Sequence, residues 1–169
     1  MSFYKVDGDP TMPYSVQAGG VKLIKSKHVP KLGSGFWIGV DLDGTLAEYT
    51  TFQGATHIGK PIEPMVEVVK TLLADGMDVR IFTARVDGGH VAKSMGLAAA
   101  DEFADVALVR TAIAQWCINN IGKVLPITNV KDFGMVILYD DRTVGVEMNT
   151  GKLHTTLAWQ QGFKMNSIS

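Results

Sequence analysis

Phe36-Trp37-Ile38-Gly39-Val40-Asp41-Leu42-Asp43-Gly44-Thr45-Leu46 is the stretch whose reading decides the fold of this chain. Its apolar start, Phe36 to Val40, reads as a short buried strand. The run ends on two carboxylates with one residue between them, Asp41 and Asp43, and then Gly44. Side chains alternate along a strand, so both carboxylates point the same way if the strand continues. Gly44 lets the backbone turn away sharply. Two carboxylates at the end of a buried strand are costly unless a cation sits between them. A hard divalent cation with oxygen ligands, Mg²⁺ above all, meets that need. The plainer reading of the same residues is a solvated Asp-x-Asp-Gly turn, a common loop composition. Residues further along decide between the two.

Downstream, Ala47 to Pro64 is long, polar and glycine-containing, of a length that suits a lid or hairpin over the strand end. Its His57 and Lys60 either reach a substrate or are simply exposed loop residues. Pro64 to Asp75 has apolar residues at helical spacing (Met65, Val66, Val69, Leu72, Leu73), a proline in the first turn and Gly76 at its end. Val79 to Phe82 reads as a second buried strand, ending on Thr83-Ala84-Arg85. A hydroxyl and a guanidinium there suit a phosphoryl oxygen and a second anionic group. Val86 to Gly96 reads as loop. Phe103, Val106, Val109, Ile113, Trp116, Cys117 and Ile121 fit one or two amphipathic helices closed by Gly122. Val124 to Thr128 is a third strand, and Pro126 marks it as an edge or a strand start. Met135 to Tyr139 is a fourth, ending on Asp140-Asp141-Arg142-Thr143, and Val144 to Met148 a short fifth.

Upstream, residues 1–35 are broken by glycines and prolines and read as an N-terminal arm or edge hairpin. Lys22, Lys25, Lys27, His28 and Lys31 either keep an edge strand soluble or form a basic arm for a phosphate backbone. No aromatic residues interleave them, which favours the solvated edge. Residues 36–150 read as the catalytic domain. Residues 151–169 read as a C-terminal extension with a short helix near Leu157 to Gln161.

Composition narrows the class. The 169 residues are 46% hydrophobic and 20% charged with a net charge of −1, as in an ordinary soluble globule with no global field for nucleic acid or membrane. The single cysteine, Cys117, excludes an intrachain disulfide and suits a reducing cytoplasm. Its helical position makes it buried filler rather than a nucleophile. No signal peptide or membrane span is expected.

Alternating strands and helices make an α/β fold with a mainly parallel sheet. Ligands then bind beyond the carboxyl ends of the strands. Those ends carry Asp41 and Asp43, Thr83 and Arg85, and Asp140 and Asp141, with Lys131 between the last two strands. Four clustered carboxylates cannot all ionise without cations. Mg²⁺ and Lys131 would supply them, and would also offset the charge of a phosphate. A carboxylate can act as nucleophile and form an aspartyl-phosphate. A second can protonate the leaving alcohol and then activate water.

This ordered set resembles the four signature motifs of the haloacid dehalogenase superfamily: Asp41-x-Asp43-Gly44-Thr45-Leu46, Thr83 after a strand, a lysine, and Asp140-Asp141 after another strand. The resemblance covers roughly Trp37 to Met148. It implies a three-layer Rossmann-like fold, Mg²⁺ dependence and phosphoryl transfer through the first aspartate. Asp41 would be nucleophile and metal ligand. Asp43 would be general acid and base and lend its backbone carbonyl to the metal. Thr83, with Ala84 and Arg85, would hold the phosphoryl group. Lys131 would bridge nucleophile and phosphate, and Asp140 and Asp141 would hold the metal. The family's lysine usually precedes a helix, whereas Lys131 lies just before a strand, so Lys123 competes for the role.

Ile62-Glu63-Pro64-Met65-Val66, the strand into Thr83-Ala84-Arg85, and Tyr139 to Met148 resemble the 3′-phosphatase domain of phage polynucleotide kinases. They also resemble small phage-encoded proteins of this superfamily. No P-loop kinase motif is present. The gaps between motifs hold no separate cap domain. Capless relatives resemble enzymes whose sites stay open to large substrates or are closed by a neighbouring subunit. The expected partners are a nucleic acid 3′-phosphate end or a nucleotide, and a second copy of the chain. The expected location is the cytoplasm, that of the host for a phage-encoded protein.

Overall fold

The computed structural model describes residues 35–96, 100–151 and 153–154. The basic stretch within residues 1–34 and the helix expected near Leu157 lie outside the described residues. Those described fall into two compact units, divided between Asp140 and Asp141.

The larger unit is built on a four-stranded, fully parallel sheet in the order β3-β2-β1-β4. Its strands are β1 (Trp37–Asp41), β2 (Val79–Phe82), β3 (Ile127–Thr128) and β4 (Met135–Tyr139). This is an α/β fold. β1 is central, and Trp37, Ile38 and Val40 are essentially inaccessible to water. Burial on both faces explains why it reads as an unbroken apolar run rather than an alternating one.

Helix α1 (Glu63–Ala74) joins β1 to β2. Pro64 lies in its first turn and Glu63 adds negative charge at its N-terminus. It buries Val66, Val68, Val69 and Leu72. Between β2 and β3 come a 3₁₀ turn (Ala84–Val86), the short helices α2 (His90–Ser94) and α3 (Ala100–Ala104), and α4 (Val106–Ile121). The segment read as loop, Val86 to Gly96, thus contains one helical turn. Of the one or two helices expected in the stretch to Ile121, two form, α3 and α4. Asp105 separates α3 from α4, and its side chain accepts the Leu108 N–H as an N-cap. Val109, Ile113, Trp116, Cys117 and Ile121 form the buried face of α4, and left-handed Gly122 ends it.

Both crossovers step the same way across the sheet. Right-handed connections then put their helices on one face, and α1 indeed packs on α4. No helix occupies the connection from β3 to β4 among the described residues. β3 is an edge strand, as Pro126 suggested, and the Pro126 carbonyl accepts the Ile81 N–H.

In the second unit, β5 (Gly145–Val146) pairs antiparallel with β6 (Leu153–His154). The fifth strand therefore belongs to a separate two-stranded sheet. No described helix is long and apolar enough to cross a membrane.

Candidate functional site

The parallel sheet brings all its carboxyl ends to one side. Asp41 is level with Phe82 on β2, which is level with Thr128 on β3, while Val40 pairs with Tyr139. Thr83 and Asp140 are each the next residue beyond those rows. The chain steps outward from β1 to β2 to β3, then returns to the other side of β1 for β4. The crevice where the order reverses, between β1 and β4, is where open α/β sheets bind ligands. Asp41 and Asp140 flank it.

One carboxylate oxygen each from Asp41, Asp140 and the next residue, Asp141, lies within 4.8 Å of the other two. Asp41 and Asp140 are half-buried and Asp141 is exposed. Oxygens shared by an octahedral Mg²⁺ at about 2.1 Å sit about 3 Å apart when adjacent and about 4 Å when opposite. The three residues could hold such an ion, and their all-oxygen, anionic donor set is of the kind it prefers.

After Asp41 the backbone coils tightly. The N–H groups of Leu46 and Ala47 both donate to the Leu42 carbonyl, and the Gly44 N–H donates to Ala47. Gly44 sits at φ +93°, where any other residue is strained. This coil places Asp43 against Arg85. The guanidinium grips the carboxylate with both prongs, Nε to Oδ2 at 2.6 Å and Nη2 to Oδ1 at 2.7 Å. The pair is nearly dry, with the Arg85 side chain 7% and that of Asp43 15% exposed.

The same guanidinium holds the loop 47–61. Its Nη1 donates to the carbonyls of Ala55 at 2.7 Å and Gly54 at 3.3 Å. Ala55 N–H in turn donates to Glu102 on α3. The Trp116 indole N–H donates to the Gly59 carbonyl. The loop's ends are clasped by Glu48 N–H to Lys60 and Ile62 N–H to Leu46. A Cβ at Gly59 would overlap the Glu48 carbonyl oxygen, so only glycine allows this close approach. The loop itself forms a cavity of about 280 Å³, lined by Glu48, Tyr49, Gln53, His57 and Lys60 among others, with Arg85 at its wall.

Thr83 is buried, and its hydroxyl accepts the Arg85 N–H. That hydroxyl retains its own proton to donate. Ala84 opens the 3₁₀ turn that carries Arg85 back toward Asp43. Lys131 is exposed and directly precedes Asp132. The Asp132 carboxylate accepts the Trp37 indole N–H at 2.7 Å. This ties that part of the connection to the start of β1 rather than to its Asp41 end. Lys123 is exposed just after α4. Cys117 is fully buried, and burial pushes its thiol up to about 11, as suits a packing residue.

Sequence reasoning did not find the Asp43–Arg85 grip, the Glu102 tether or the Trp116–Gly59 bond. The arginine was visible as an anion binder, but nothing local marked its partner as an internal carboxylate. No protein-family model, curated protein or solved structure matches this chain.

Proposed function

We propose that this protein is a Mg²⁺-dependent phosphomonoesterase of the haloacid dehalogenase type. Its substrates are nucleic acid 3′-phosphate ends or nucleotides. The observation that carries the reading is the convergence of Asp41, Asp140 and Asp141 at the reversal point of a parallel sheet. Asp43 follows Asp41 by two residues and Thr83 follows β2, the chain positions that the resemblance to the haloacid dehalogenase motifs calls for.

An oxygen of Asp41 attacks phosphorus, and an O–P bond forms as the ester P–O bond breaks. The leaving alkoxide takes a proton from the Asp43 carboxyl group. In the second half Asp43 takes a proton from water as that water attacks phosphorus and Asp41 departs. The two guanidinium N–H groups orient the Asp43 carboxylate. The first half requires a protonated Asp43 and release of one of those bonds. The Thr83 hydroxyl donates to a phosphoryl oxygen. Asp41, Asp140 and Asp141, with the Asp43 backbone carbonyl, would hold Mg²⁺, which when bound supplies positive charge opposite the phosphate. The resemblance calls for a lysine at the phosphate, a role for which Lys131 and Lys123 compete.

The test is phosphate release with Mg²⁺ present from a 3′-phosphorylated oligonucleotide and from mononucleotides. Asp41→Asn is expected to reduce release to background while the fold, read by circular dichroism, is retained. Unchanged release in that variant removes Asp41 as nucleophile. Turnover of mononucleotides alone makes the protein a nucleotidase. No release from either substrate leaves a binding protein on the same fold. Comparing Lys131→Ala with Lys123→Ala identifies which lysine serves the phosphate.

A further inference from the structure

Arg85 stands where the sequence suggests a ligand for substrate, yet its donors are directed inward. Nε and Nη2 go to Asp43 and Nη1 to the carbonyls of Gly54 and Ala55. We infer that Arg85 is a positioning residue, which fixes the Asp43 carboxylate and the loop 47–61 as one mechanical unit. The inference rests on the phosphomonoesterase reading for its kinetic consequence, but not for its geometry.

Three observations carry it. First, the grip is two-pronged, which sets the plane as well as the position of the carboxylate. A lysine would supply charge without that orientation. Second, the pair is nearly dry, so neither partner can trade the other for water cheaply. Third, the loop segment held by Nη1 is pinned from its other side, because Ala55 N–H donates to Glu102. Arg85 also lines the 280 Å³ cavity that the loop forms. A shift of the loop therefore pulls on the guanidinium, and through it on Asp43, the proposed acid and base.

The experiment has two arms. Backbone amide exchange is followed at Glu48, Ala55 and His57 in the wild type, Arg85→Lys and Asp43→Asn. Asp43→Asn is nearly isosteric and leaves the arginine in place, so it reports on coupling even if Arg85 variants fold poorly. Coupling predicts exchange at these loop amides at least about tenfold faster in Asp43→Asn, as the loop opens more often. Exchange within about twofold of the wild type overturns the inference.

In the kinetic arm, Arg85→Lys should lower kcat by at least about tenfold and leave KM within about threefold. A raised KM with unchanged kcat makes Arg85 a substrate ligand and also overturns the inference. If the wild type hydrolyses no phosphomonoester, the proposed function fails, and the exchange arm still decides whether Asp43 and the loop move together.

Discussion

Two Asp–Arg pairs flank the central strand, and water treats them differently. Near the carboxyl end of β1, Asp43 and Arg85 meet with 15% and 7% of their side chains exposed. Near its amino end, Asp78 and Arg80 meet at 2.7 Å but with 42% and 27% exposed. Arg80 also stacks over the Trp37 ring at 4.8 Å, and Asp132 accepts the indole N–H of the same residue. The residue types are alike, but Arg85 makes two short bonds, at 2.6 and 2.7 Å, where Arg80 makes one at 2.7 Å and longer ones at 3.2 and 3.4 Å. Solvation sets the worth of each pair, because a wet ion pair replaces hydration it never lost, whereas a dry one cannot be dismantled from one side without stranding a charge.

The largest effect expected from this contrast is on stability. Arg85→Met leaves the Asp43 carboxylate buried without its cation and should cost about 3–5 kcal/mol. Arg80→Met should cost less than about 1 kcal/mol. Urea denaturation of the two variants measures both. Equal losses would break the contrast and put the stabilisation elsewhere.

Much of the fold was legible because it rests on local patterns. β2 and β4 run over the residues that their apolar runs mark, Val79–Phe82 and Met135–Tyr139. α1 begins beside Pro64, and α4 ends at Gly122. Of the four carboxylates expected together, Asp41, Asp140 and Asp141 gather, since the carboxyl ends of parallel strands share one side of a sheet, whereas Asp43 pairs with Arg85. Other features were not legible. α2 is a single turn, too short to show a period. β3 keeps only Ile127–Thr128 of the expected run, and β5 pairs outside the main sheet. The Asp43–Arg85 grip joins residues far apart in sequence, and no periodicity encodes a partner. β1 and β4 look alike as sequence, yet Val136 and Ile137 are 43% and 37% exposed on the edge strand while β1 is covered. An apolar run reports that a strand exists, not its place in the order.

A subtler effect sharpens the comparison at the amino end. The Trp37 indole N–H, and after it the Gly134 backbone N–H, hold the Asp132 carboxyl below its ordinary value of 3.8, with Arg80 adding a smaller share. The folded state thus favours the ionised form. Its contribution is complete above that ordinary value and is lost as pH falls through the lower folded-state one. Trp37→Phe should remove most of this acid sensitivity. The check is Tm against pH between about 2 and 5, where the variant's curve should be flatter than the wild type's.

Another pH effect belongs to a group that neither pair touches. Burial raises the Cys117 thiol to about 11 from an ordinary 9.0. The folded state therefore favours the neutral form. The associated stability is intact below pH 9.0 and is lost as pH rises toward 11. At neutral pH the thiol should react with a disulfide reagent only after denaturant is added. Rapid labelling of the native protein would place Cys117 outside the core.

The clasp at the neck of the loop has an evolutionary consequence. Because Leu46, Glu48, Lys60 and Ile62 tie the two strands of the neck to each other, the excursion starts and finishes at one place. Residues added or removed at its tip, around Thr50 to Gln53, need not displace β1 or α1. The entropic penalty of a longer tip grows only with the logarithm of its length. Selection can thus vary the tip, whose Thr50, Thr51 and Gln53 line the cavity, while the hydrogen-bonded neck stays as it is.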